Sequence, residues 1–243
     1  MSQTHGIAYN DSLPGTVADG TQKQYRTDRY GAQHVRNELL AWAEDGSYFR
    51  ALSNATPMTG VAQAITTSFS ATAVPLVMVN GSSTKRIIPH YIRLTCTAAG
   101  STTTSSAFAI SIDSANRYSS GGTDISGLIY NANTALGPST AVSVLRIGTV
   151  TAAAAGAGTR YVSHGQLKVQ AAPCWTVGDE VRIMFGSDAD SGATSGAATI
   201  AIVKNVGPVV LGAQNSSLIL HLWNVANATT APSWAWEIAW WER

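Results

Sequence analysis

From about Val61 to the end of the chain, apolar side chains recur at every second position and almost nowhere at helical spacing. Alternate residues of a strand face opposite ways, so this rhythm calls for sheets with one buried face. It leaves no stretch from which the crossover helices of a parallel α/β fold could be made. In IIPHYIRLTC, Ile88, His90, Ile92, Leu94 and Cys96 fall on one face, with Ile87, Pro89, Tyr91, Arg93 and Thr95 on the other. AFAISID aligns Phe108, Ile110 and Ile112, and VRIMF turns Val181, Ile183 and Phe185 inward with Arg182 outward. SLILHLW sets Leu218, Leu220 and Leu222 against Ile219, His221 and Trp223. WAWEIAWW sets Trp234, Trp236, Ile238 and Trp240 against Ala235, Glu237, Ala239 and Trp241. With further runs at 61–69, 74–79, 141–150, 160–170 and 198–205, about nine or ten strands are expected. Turn chemistry such as Asn80-Gly81, Gly121-Gly122, Gly137-Pro138 and Gly207-Pro208 separates them. The expected fold is all-β, an antiparallel jelly-roll-like β-sandwich over residues 57–243.

Residues 1–56 follow a different pattern. The first 50 residues hold 11 charged groups and the remaining 193 hold 18, so charge is concentrated at the N-terminal end. In AQHVRNELLAWAED, Val35, Leu39 and Trp42 stand at i, i+4 and i+7, and Asp45-Gly46 follows as a stop. This predicts one amphipathic helix over about 32–45. Residues 1–31 are polar and aperiodic, and are expected to form an extended arm, either docked on a partner or without fixed structure. Two small-residue stretches, 119–127 and 152–159, read as loops, the second as a packed contact for which a neighbouring subunit is one candidate partner.

Little here points to chemistry. Charged residues are 12% of the chain and the formal net charge is +1, so no basic footprint for nucleic acid or an anionic membrane is expected. The apolar runs fall short of a bilayer span, and Met1–His5 lacks the basic and apolar regions of a secretion signal. His5, His34, His90, His164 and His221 make no ligand pattern, and each reads as structural. Cys96 and Cys174 read as buried free thiols. Asp188-Ala189-Asp190 opens like a calcium loop, but the glycine and glutamate of an EF-hand do not follow at the required spacing. Glu237 lies among tryptophans as a sugar-cleaving acid would, with Asp179 and Glu180 as the other carboxylate candidates. Glu237 nevertheless falls on the opposite pleat from Trp234, Trp236 and Trp240, which makes it an outward-facing strand residue. No catalytic residue, metal ligand or cofactor is expected.

The distinctive enrichment is aromatic. Five of the seven tryptophans, Trp223, Trp234, Trp236, Trp240 and Trp241, fall within the last 21 positions. Large aromatics on both faces of a terminal strand require a cover on both sides. The second cover is either another subunit, since such contacts favour tryptophan and arginine, or the helix at 32–45 folded back with Trp42 against the strand. The first reading makes Val35, Leu39, Trp42, Trp223, Trp234, Trp236, Trp240 and Trp241 interface residues of a homo-oligomer, with a trimer expected.

Three segments taken together resemble virion structural proteins of tailed bacteriophages. They are YRTDRYGAQHVRNELLAWAEDGSYFRALS, the following NATPMTGVAQAITTSFSATAVPLVMVNGSSTKRIIPHYIRLTCTAAG, and the closing LILHLWNVANATTAPSWAWEIAWWER. The resemblance implies a non-enzymatic jelly-roll subunit of the virion, assembled in the host cytoplasm. It would serve as a capsid decoration or cement protein that stabilises the head through its arm and subunit contacts. Its partners would be the major capsid protein or other virion proteins. The alternative is a fibre or tail module that binds a host receptor or carbohydrate through exposed aromatics such as Tyr118 and Tyr130.

Overall fold

The alternating runs become strands close to where the sequence puts them. The computed structural model describes residues 38–53, 57–59, 61–62, 70–100, 105–136, 141–169, 175–186, 201–225 and 232–243. A short helix, α1 (Glu38–Glu44), leads into β1 (Tyr48–Leu52), β2 (Met58–Thr59), β3 (Val61–Ala62), β4 (Ala73–Asn80) and β5 (Ile87–Ala98). Then come β6 (Ser105–Asp113), β7 (Tyr118–Asp124), β8 (Ile129–Asn131), β9 (Ser143–Ala152) and β10 (Arg160–Val169). The chain closes with β11 (Glu180–Phe185), β12 (Ala201–Val206), β13 (Ser217–Val225) and β14 (Ser233–Glu242).

These strands make two seven-stranded sheets, and the protein is an all-β, jelly-roll-like sandwich. The first runs β12-β11-β5-β14-β1-β8, with β2 beside β14; the second runs β10-β6-β13-β4-β9-β7, with β3 beside β13. The facing sides interdigitate in one cluster. Phe49, Leu94, Val181, Trp234, Trp236 and Trp240 come from the first sheet, and Leu76, Phe108, Ile110, Leu218 and Leu220 from the second. Trp175 enters from a loop and meets Trp234 edge-on, with ring centroids 4.7 Å apart. Each fully buried indole contributes of order 4–6 kcal/mol of transfer free energy as an upper bound, so this strip dominates the core.

Several expectations need correction. Tyr48–Leu52, assigned to the arm by the sequence boundary at 56, is a sandwich strand. It pairs with β14 over five positions and with β8 over three. The sandwich therefore starts ahead of residue 57. Within the described residues the helix begins at Glu38, and Val35 lies outside them. It stops at Gly46, whose φ of +71° suits glycine, and where a Cβ would lie 1.9 Å from Leu136 Cδ1. The pairing is not wholly antiparallel, because β11–β12 and β13–β3 are parallel. Residues 186–200 are long enough for the crossover that the first of these needs.

The stretch 119–127, expected as a loop, contains most of β7, an edge strand against β9. All but its first residue are exposed, so it carries no alternation to read. Gly121 has φ +74° and lies so close to β9 that a Cβ would stand 2.6 Å from the Thr149 carbonyl oxygen. The Ala-rich stretch does not pack within the chain: Ala153–Ala157 are exposed, which leaves a neighbouring subunit as the partner for the expected contact. Its ends are fastened by the buried Arg117, which donates to the Ala153 carbonyl and to the Thr159 hydroxyl. Cys96 is buried as expected, while Cys174 lies outside the described residues.

Candidate functional site

The outer face of the first sheet carries a charged cluster of Arg50, Arg93, Glu180, Arg182 and Glu237. Cross-strand register sets it out in rows. One row runs Arg182, Arg93, Glu237, Leu52 across β11, β5, β14 and β1. The next runs Met184, Tyr91, Ala239, Arg50, Tyr130 across β11, β5, β14, β1 and β8. Ala235 and Ala239, on either side of Glu237 along β14, are small, so β14 floors a trough between taller side chains of β5 and β1. On the Ala235 side it deepens into a depression of about 160 Å³ lined by Leu52, Ser53, Arg93, Thr95, Ala235, Trp236 and Glu237.

Glu237 bridges the trough. Its carboxylate, only 3% exposed, takes ion pairs from Arg50 on one oxygen and Arg93 on the other. The Tyr91 hydroxyl donates to Oε1 at 2.5 Å, and Arg50 also donates to Tyr91 at 3.1 Å. Burial pushes the Glu237 carboxyl upward, but the Tyr91 and Arg50 hydrogen bonds and the charges of Arg50 and Arg93 outweigh it. The group is held below the usual carboxylate range. Burial, then the hydrogen bond and charge of Glu237, raise the Tyr91 phenol, and the Glu237 hydrogen bond raises Arg50. At neutral pH the cluster is therefore a fixed carboxylate between two guanidinium groups. Such a carboxylate accepts hydrogen bonds and has no proton to give as a general acid.

Toward the end of the trough the strand register changes. Trp240 pairs with Pro89 and Ala239 with Tyr91, so a bulge leaves His90 opposite no residue of β14. The expected faces of β5 are thereby split: Ile92, Leu94 and Cys96 point inward, but so do Ile87 and Pro89. His90 and Tyr91 both turn outward, with rings 5.1 Å apart. His90 then packs 4.5 Å from Trp241, and the Tyr48 hydroxyl lies 2.8 Å from its Nδ1. Burial, then the Arg50 charge, keep His90 below its ordinary pKa, so it is neutral at pH 7.

The expected interface tryptophans occupy other roles. Trp234, Trp236 and Trp240 are core residues, and Trp223 is buried against Ala107 and Ala109 on the outer face of the second sheet. Trp241 is 7% exposed. It is covered by Tyr48 at 5.2 Å and, from α1, by Trp42 edge-on at 5.3 Å. Arg243 stands 4.6 Å above the Trp42 ring. The chain's own helix thus supplies the second cover, and these five indoles are not available to a neighbouring subunit. The side chain of Leu39, like Val35, lies outside the described residues.

The remaining candidates are structural. His221, 1% exposed, is bonded to Ser111 at 2.9 Å and to the Ser70 carbonyl at 3.1 Å. Asp179 accepts from the Thr176 amide, and Glu180 pairs with Arg182. Tyr130 is 52% exposed, whereas Tyr118 lies under Arg146 and bonds the Gly121 carbonyl. His5, His34, Asp188 and Asp190 lie outside the described residues. Among the described residues no group of three His, Cys, Asp or Glu is placed to hold a metal, and no helix is long and apolar enough to cross a membrane. No protein-family model matches the chain, and neither a curated protein nor a solved structure matches it significantly.

Proposed function

We propose that the chain is a non-enzymatic structural component of a bacteriophage virion, a capsid decoration or cement protein that holds its neighbours through the N-terminal segment. The observation that carries this reading is the seating of that segment's root. α1 is fastened to the C-terminal strand through Trp42 and Trp241, and β1 is hydrogen-bonded between β14 and β8. A pull on the N-terminal segment would load a paired strand along its length, so several hydrogen bonds must fail together. That is a sound root for a tether. Assembly as a trimer stays part of the proposal, through surfaces other than the tryptophans.

The test is removal of residues 1–37 from the otherwise intact chain. A cut at residue 50 would take most of β1 and confuse tethering with folding. The shortened protein should unfold at the same denaturant concentration as the full chain and fail to bind phage particles. Full binding by the shortened protein would overturn the tether, and sedimentation of the full chain reads its subunit number.

A second reading has its own support. Tyr130 stands exposed beside Arg50 on the outer face of the first sheet, the kind of surface on which a sugar ring stacks. A glycan array that lights with the wild type and dims with Tyr130→Ala would favour a receptor-binding module instead.

A further inference from the structure

The charges on the outer face of the first sheet do not balance. Arg50, Arg93 and Arg182 carry three positive charges; Glu237 and Glu180 carry two negative ones, and Glu237 is shared between Arg50 and Arg93. Arg182 and Arg93 are also direct cross-strand partners, about 4.8 Å apart at the backbone. Like charges in that position oppose sheet pairing. The sequence nevertheless places both there, and their side chains are 42% and 40% exposed. Leu52 and Tyr130, 44% and 52% exposed, stand on the β1 and β8 side of the same trough. Arginine, tyrosine and an exposed aliphatic residue around a shallow channel make the composition of a protein-binding surface.

We propose that this face is a docking surface for a carboxylate-rich segment of a partner protein. The segment lies along β14, with its acidic side chains against Arg182, Arg93 and Arg50 and its apolar ones against Leu52 and Tyr130. A carboxylate set between Arg182 and Arg93 supplies the missing counter-charge and removes their mutual repulsion, and each guanidinium keeps donors beyond those it gives to Glu180 or Glu237. The surface does not depend on the virion reading.

The experiment uses the full chain, a fluorescent deca-glutamate peptide as probe and dextran sulfate as a second polyanion, at low ionic strength. Arg182 is the residue to change, because it lies at the surface and its ion pair is with Glu180 alone. Arg182→Glu should weaken deca-glutamate binding about tenfold or more, and Arg182→Lys should retain most of it. Tyr130→Ala should weaken it less, and Arg160→Glu, on the edge of the other sheet, should leave it unchanged. Equal binding by wild type and Arg182→Glu overturns the proposal. So does an equal loss in Arg160→Glu, which would make the attraction a property of overall charge. Binding of dextran sulfate without deca-glutamate also overturns it and assigns the face to a sulfated saccharide.

Discussion

Replacing Trp42 by alanine tests the cover over Trp241. A helix of seven residues does not persist alone in water, so α1 depends on its tertiary contacts. Those contacts include the edge-on Trp42–Trp241 pair, the Arg243 guanidinium over the Trp42 ring, and the donations of Asn131 to the Gly46 carbonyl and Asn133 to the Glu44 carbonyl. An aromatic pair of this kind is worth about 1 kcal/mol beyond area, and a solvent-facing cation–π contact about 0.5–1 kcal/mol. Loss of apolar burial on both indoles adds about 1 kcal/mol, for a total near 2–3 kcal/mol. The two asparagine bonds fasten the C-terminal turn, whereas Trp42 seats the middle of α1. Trp42→Ala should therefore lower the unfolding free energy by about 2–3 kcal/mol and raise acrylamide quenching of Trp241, while β14 keeps its amide-exchange protection. Trp42→Phe should recover roughly half the loss, because it keeps a ring against Trp241. A Trp42→Ala protein with wild-type stability and unchanged quenching would refute the account of how the second face of β14 is covered.

Three further outcomes follow from the geometry. Glu237→Gln keeps the Tyr91 bond but loses two ion pairs; because Arg50 and Arg93 are nearly half exposed, the cost should be only about 1–2 kcal/mol at pH 7. The carboxyl is depressed in the fold, so this advantage is complete above the unfolded pKa near 4.3 and fades as pH falls through the lower folded value. Urea titrations of the two proteins should converge in acid, and a gap that persists at pH 2 would refute the assignment. His221 is driven down to about 4, first by burial, against the opposing Ser70 hydrogen bond. The folded protein should thus keep full stability above pH 6.5 and lose about 3 kcal/mol as pH falls from 6.5 toward 4, because only the unfolded chain takes the proton there. An NMR titration placing His221 near 6.5 would contradict this. Gly121→Ala should release β7 from β9, seen as faster amide exchange at Thr123 and Asp124 with the core strands unaffected, since its Cβ would meet the Thr149 carbonyl. Unchanged exchange at those amides would show that the close approach is not a constraint.

What the sequence disclosed, and what it hid, follows from range. Alternation is a local property, so β6, β11, β13 and β14 were legible with the residues that share each face, because each has one face in the common core; β4, apolar on both faces, was legible only as a strand. β7 and β8 were not: an exposed edge strand and a three-residue strand have no apolar period. β1 was hidden by the charge around it, although Phe49 and Ala51 already alternate with Arg50 and Leu52. The reversed face of β5 was missed because a bulge is fixed by the partner strand; Pro89, with no amide proton to give, was the one local hint of irregularity. Of the candidate site, the outward direction of Arg182 and the shared face of Tyr91 and Arg93 were readable. Their meeting with Arg50 and Glu237 was not, since Arg50 and Glu237 are 187 residues apart and only register brings them together.

The two ends of the described chain explain why the tryptophans misled. Enrichment of indoles near a terminus invites the thought of a sticky tail, but β14 is not a tail. It lies between β5 and β1, pairing with the first over ten positions and with the second over five. Arg243 exchanges backbone hydrogen bonds with Arg86, and Glu242 Oε1 accepts from the Ser143 amide and the Trp240 indole. A strand in the middle of a sheet is covered on both faces by its own molecule when one neighbour brings a helix with it, and β1 brings α1. The aromatic excess is therefore spent on joining the beginning of the sandwich to its end. What the fold leaves outward on that sheet is charge beside Leu52 and Tyr130, so an association that uses this face would be steered by electrostatics and weaken with salt.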